Sequence, residues 1–151
     1  MKKIIKFIII LLPWFLSSLT PIDKSYYQSL NLPFFAPPPL FYAIIWTILY
    51  ILIATTIYQI TEKKKDIPTS YKYTLIVNYI ANQSFQPLFF LFKNNFLGFV
   101  SCLITFISSL FLYKETKEEI TTYKLLIPYI LFSLFATILS LSIYLMNLHT
   151  L

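Results

Sequence analysis

Residues 39 to 60 read PLFYAIIWTILYILIATTIYQI, an apolar run with no charged side chain. A hydrocarbon core about 30 Å thick is crossed by roughly 20 apolar residues wound as an α-helix. The run has that length, and it does not alternate as a ten-residue barrel strand would, so a membrane helix is expected. Outward from it, further stretches of the same kind lie at about 4–22, 72–92, 95–113 and 124–147. The expected fold class is all-α, an integral membrane bundle of five transmembrane helices in a single domain over residues 1–151. Polar links run from Ile22 to Pro38, Glu62 to Ser70, Lys93 to Asn95 and Lys114 to Tyr123, which leaves nothing for a soluble domain.

Composition points the same way. The 151 residues are 58% hydrophobic and 12% charged, with one glycine, where soluble domains average about 25% charged. An ordinary soluble enzyme is excluded. The net charge of +6 comes from twelve basic residues, all lysines, against six acids. They cluster between apolar runs, as expected of side chains that snorkel at membrane edges and meet anionic head groups, and no nucleic-acid partner is expected.

The first stretch needs separate thought, because Met1-Lys2-Lys3, an apolar run and Ser17-Ser18 also resemble a secretory signal. Pro13 interrupts the run and no small-x-small cleavage site follows, which favours a retained helix over a cleaved, four-span protein. With the N-terminus in the cytoplasm, Lys2, Lys3, Lys6, Lys63, Lys64, Lys65, Lys72, Lys114, Lys117 and Lys124 fall inside, and Lys24 and Lys93 outside. Such a bias sets topology. It places the first loop and His149 outside, and a short all-lysine chain suits a bacterial plasma membrane.

Several chemistries lack their residues. Asp23, Glu62, Asp66, Glu115, Glu118 and Glu119 all lie in links, so no ionisable group sits at mid-membrane as pumps and charge-coupled transporters require. His149 has no second histidine or cysteine at ligand spacing, so no metal is expected. Gly98 stands alone, without a phosphate-cradling loop. Ser101, Thr105, Ser108 and Ser109 have no histidine in reach for a hydrolytic triad, and are expected to bond their own helix or pack between helices. Cys102, the single cysteine, reads as a small packing residue.

Aromatic residues remain, with a few polar groups at membrane depth. Trp46 and Tyr50 are four apart and share a helix face. Asn82, Phe85 and Phe89 follow spacings of three and four, which places an amide on one stripe with two rings. Phe132, Ala136 and Ser140 repeat the arrangement in the last span. A small residue among rings leaves a notch for a flat apolar ligand. Packing between helices or against lipid accounts for any single ring equally well, and an interfacial belt accounts for Tyr26, Tyr27, Tyr71 and Tyr73.

The run Tyr26-Tyr27-Gln28-Ser29-Leu30-Asn31-Leu32-Pro33-Phe34-Phe35-Ala36-Pro37-Pro38, followed by Trp46-Thr47-Ile48-Leu49-Tyr50, resembles the first-loop and second-helix signature of the TspO/translocator-protein family, also called tryptophan-rich sensory proteins or peripheral-type benzodiazepine receptors. Asn82-Gln83-Ser84-Phe85-Gln86-Pro87-Leu88-Phe89-Phe90 resembles its third-helix motif. Pro128-Tyr129-Ile130-Leu131-Phe132, with Phe135-Ala136-Thr137 and Tyr144-Leu145-Met146-Asn147, resembles its fifth helix.

The resemblance implies a pocket that opens toward the first loop and takes porphyrins, haem-like tetrapyrroles and synthetic isoquinoline carboxamides or benzodiazepines. It also implies homodimers. The ligand-binding residues it implies are Trp46 and Tyr50, then Asn82, Phe85 and Phe89, then Phe132 and Ala136, with Pro37 and Tyr26 in a lid. No catalytic residue and no required cofactor is expected, the tetrapyrrole being a ligand.

Departures matter too. Family members often carry tryptophan where this chain has Tyr26, Phe85 and Phe132, and asparagine where it has Ser140. Trp46 is the only tryptophan among the implied site residues, which weakens any expectation of light-driven porphyrin breakdown. The sterol motif of animal relatives fails, since no Lys or Arg follows Tyr144, and Gly-x-x-x-Gly contacts that would argue a dimer are absent. The expected function is that of a sensor, carrier or scavenger of planar apolar ligands. The alternatives are a photo-oxidative enzyme using Trp46 and a ligand-free structural or regulatory subunit.

Overall fold

The computed structural model describes residues 2–63, 66–117 and 120–148, which hold helices and no strand. Lys64, Lys65, Glu118, Glu119 and His149, which entered the reading of charge and topology, lie outside the described residues. The α-helices are α1 (Lys2–Leu11), α2 (Lys24–Ser29), α3 (Pro39–Lys63), α4 (Thr69–Gln86), α5 (Asn95–Thr116) and α6 (Leu126–Met146). Among the described residues three helical segments are long and apolar enough to cross a membrane: α3, α5, and α6 together with the 3-10 turn Thr121–Leu125 that leads into it.

The other two expected spans depart from a continuous α-helix for identifiable reasons. Pro13 lacks an N–H and its ring clashes with the preceding turn, so α1 ends at Leu11 and residues Leu12–Leu19 wind as a tighter 3-10 helix. In α4, Asn78, Asn82, Gln83 and Gln86 dilute the apolar run, and Pro87 converts its end into a π turn, Pro87–Leu91. Lys93 then takes a left-handed φ of 52° and turns the chain. Asn94 caps α5 by accepting from the Leu97 N–H at 2.9 Å. The proline-rich link also holds a helix that the sequence reading lacked: α2 is capped by Asp23, whose carboxylate accepts from the Tyr26 N–H at 2.9 Å.

Packing closes a ring of helices. The helical stretch 2–19 lies between α3 and α4, α3 packs on α6, and α5 fills the space between α6 and α4. Its outer wall is more apolar than its interior: Ile44, Ile48, Ile80, Ile104, Leu131 and Ile138 are exposed, while Asn78, Ser101, Thr105, Ser109 and Ser133 are buried. That inversion suits lipid outside. Exposed-face hydroxyls such as those of Thr47, Ser84 and Ser142 donate to carbonyls four residues back in their own helices. Ser108 and Ser109 also bond within α5, whereas Ser101 crosses to the Ala81 carbonyl at 2.6 Å.

The first loop is fastened at both ends. Near α2, the Asp23 carboxylate meets the Lys93 ammonium at 2.9 Å, and the Tyr26 hydroxyl donates to Asn95 Oδ1 at 2.7 Å. Farther on, the Asn31 N–H donates to Asn147 Oδ1 at 2.9 Å while Asn147 Nδ2 donates back to the Asn31 carbonyl at 3.0 Å.

Candidate site of rings and amides

Trp46 and Tyr50 do share a face of α3. Their rings are 5.6 Å apart, and Trp46 meets the edges of Phe132 at 5.4 Å and Tyr129 at 6.3 Å. Behind them the polar side chains of α4 are engaged with one another. The Tyr50 hydroxyl donates to Asn82 Oδ1 at 3.0 Å, and Asn82 Nδ2 donates to the Tyr129 hydroxyl at 3.4 Å. Tyr129 in turn donates to Asn78 Oδ1 at 2.8 Å, and Asn78 Nδ2 reaches Ser108 at 2.8 Å and the Thr105 carbonyl at 3.0 Å. Tyr129 and Asn78 are fully buried. Such groups have no water to turn to in a bilayer core, so each bond is needed.

A second group lies toward the first loop. Phe85 and Phe89 stack at 5.3 Å, and Tyr26 covers Phe89 at 5.9 Å. Gly98 makes room for this stack: a Cβ there would lie 3.0 Å from Phe89 Cδ2. Leu139 and Ile143 back it from α6.

The expected site residues therefore fall into two groups rather than around one chamber. Trp46, Tyr50, Asn82 and Phe132 come together, as do Tyr26, Phe85 and Phe89. Phe135 joins them, touching Phe132 at 5.6 Å and Phe35 of the loop at 6.3 Å. Ala136 is half-buried one turn beyond Phe132, its carbonyl accepting from Ser140. Pro37 is half-buried where the loop returns into α3. An outward-opening groove of about 350 Å³ between α3 and α6 is lined by Ile45, Ile48, Leu49, Pro128, Leu131, Phe132 and Phe135.

Sequence reasoning missed Asn78, Gln83, Tyr129 and Trp14 at this site. Trp14 lies 5.8 Å from Tyr50, so Trp46 is not the only tryptophan against these rings. The spacing of Asn78 and Asn82 was the available signal, since four residues bring two amides to one face of a helix.

At the loop, hydrogen bonds from the Ser25 hydroxyl and the Tyr26 N–H, with the Lys93 ammonium alongside, hold the Asp23 carboxyl well below the usual carboxylate range. Desolvation raises the Tyr26 phenol above its ordinary value. Among the described residues no cluster of His, Cys, Asp and Glu could hold a metal ion.

The sequence profile of the TspO/MBR family matches residues 7–145. "Tryptophan-rich protein TspO" of Bacillus cereus is 38% identical over 133 residues, covering 87% of this chain and 86% of that protein. "Uncharacterized membrane protein YtaB" of Bacillus subtilis is 37% identical over 135 residues, covering 86% and 85%. "Tryptophan-rich protein TspO" of Archaeoglobus fulgidus is 29% identical over 128 residues, covering 82% and 81%.

Proposed function

The chain belongs to the TspO/MBR family of membrane proteins, and from that premise we propose that it binds planar apolar ligands of the tetrapyrrole type, as a sensor, carrier or scavenger. The observation that carries this reading is the ring group of Trp46, Tyr50, Tyr129 and Phe132 around the Asn82 amide, continuous through Phe132 with the apolar groove between α3 and α6. Rings stack on a macrocycle by dispersion and quadrupole geometry. A groove of about 350 Å³ is at the small end of ligand sites, so a porphyrin needs Phe132 or Phe135 to swing aside.

In this reading the broken first span and α4 also cross the bilayer, which makes five spans with the N-terminus in the cytoplasm and the first loop outside. The prolines around Pro37 stiffen that loop, and a stiff lid loses less entropy when a guest arrives.

The test is a titration of purified protein in detergent with protoporphyrin. Saturable binding should shift the Soret band and quench tryptophan fluorescence, and Trp46→Ala with Phe132→Ala should weaken it at least tenfold. An equally weak, unsaturable response in wild type and double mutant would refute the proposal.

A second reading, photo-oxidative porphyrin breakdown with Trp46 as electron donor, is favoured by the ring sequence Trp46, Tyr50, Trp14 at 5.6 and 5.8 Å. Illuminated turnover that persists unchanged in Trp46→Phe removes it.

A further inference from the structure

We propose that Gln83 is a positioning residue that ties the ring-and-amide site to the break in the first span, so that a guest at Asn82 is felt at residues 14 to 17. What occupies the site rests on the ligand reading above; the tie itself rests on geometry.

The break after Pro13 frees backbone groups from α-helical partners, and in a bilayer core these must be satisfied by protein. Gln83, nine-tenths buried, satisfies two of them. Its Oε1 accepts from the Ser17 N–H at 2.7 Å and its Nε2 donates to the Trp14 carbonyl at 3.1 Å. One turn earlier in α4, the Tyr79 hydroxyl donates to the Pro13 carbonyl at 3.0 Å, so α4 splints the break twice. Gln83 Nε2 also donates to Asn82 Oδ1, at 2.9 Å, the same oxygen that accepts from Tyr50.

An amide nitrogen carries two hydrogens, and both are committed here, one to the first span and one to the site. The amide is planar, so these bonds share one rotor. A ligand carbonyl or carboxylate that turns Asn82 toward itself removes the acceptor from Gln83, and any compensating rotation of Gln83 alters its hold on Trp14 and Ser17. Trp14, packed on Tyr50 and at 5.3 Å on Tyr79, sits where that change is read.

The chain has two tryptophans, so 5-fluorotryptophan labelling gives two fluorine resonances, assigned with Trp46→Phe. In unliganded protein, Asn82→Ala is expected to move the Trp14 resonance. Tyr129→Phe, which keeps the ring but removes the hydroxyl that Asn82 Nδ2 meets at 3.4 Å, is expected to leave it near its wild-type position. No displacement by Asn82→Ala, or equal displacement by both variants, overturns the tie whatever becomes of the ligand reading.

With protoporphyrin, both wild-type resonances are expected to shift. Gln83→Leu should lose most of the Trp14 response while keeping that of Trp46. A Trp14 shift of wild-type size in Gln83→Leu overturns the inference. Silence of Trp46 in wild type strikes the ligand reading alone and leaves the unliganded arm to decide. If Gln83→Leu does not fold, Gln83→Glu, which keeps an acceptor for Ser17 but lacks the amide N–H groups that serve Trp14 and Asn82, is judged by the same criterion.

Discussion

Around Asn82 the interior is built from polar atoms paired one with another, whereas around Phe89 it is built from rings that touch without a fixed partner. The two regions follow one another along α4 and the π turn after it. Lipid tails are as apolar as leucine, so burying a ring separates helix from lipid with little net gain, and directional bonds and close packing must specify the arrangement. The amide region does this with named donors and acceptors. The ring region does it mainly with packed shape, to which Tyr26 adds its bond to Asn95. The difference divides labour: paired donors and acceptors fix one region, and close ring contact fixes the other.

Four measurements would sharpen or break this division. Phe89→Ala should have the largest effect, about 3 kcal/mol off unfolding in detergent, because it empties a fully enclosed volume; a loss below about 1 kcal/mol would mean that the ring region collapses freely. Asn78→Ala should cost about 2 kcal/mol by leaving the Tyr129 hydroxyl without its acceptor, and added protoporphyrin should not restore it. Gly98→Ala should cost about 1 kcal/mol, since the new methyl meets a ring edge at 3.0 Å that can tilt away. A larger cost would show the rings to be as fixed as the amides.

The smallest effect is expected at the loop and depends on pH. The Asp23 carboxyl is held below its unfolded value, so its contribution is present above about pH 4 and is lost as pH falls further toward its folded value. Asp23→Asn should therefore melt slightly below wild type at pH 7, with the gap narrowing as pH drops below about 4. A gap that widens on acidification would show that Lys93 and Asp23 do not fasten the loop.

The sequence made some of this legible and hid the rest for physical reasons. The spans at α3, α5 and α6 could be read because apolar runs of that length have one solution in a bilayer. The interruption at Pro13 was visible, but the 3-10 winding after it depends on Gln83 and Tyr79 from another helix. The stretch at 72–92 reads as a span in spite of its polar residues, but Asn78, Asn82 and Gln83 do not read as the partners that meet in the interior. Within the site, Trp46 and Tyr50 followed from helical spacing, and Phe85 with Phe89 from the same rule. What spacing could not give was partnership across helices. That Asn82 would meet Tyr50 and Tyr129 follows from how three helices pack.

The clasp between Asn31 and Asn147 spans 116 positions of sequence. During synthesis the loop emerges early, yet its second fastening waits for the last helix to arrive and present that asparagine. Pairing across so long a chain segment carries a loop-closure cost that the assembled bundle offsets. The second fastening of the loop can therefore form only once α6 is in place, which ties the loop's position to the helix that ends the fold.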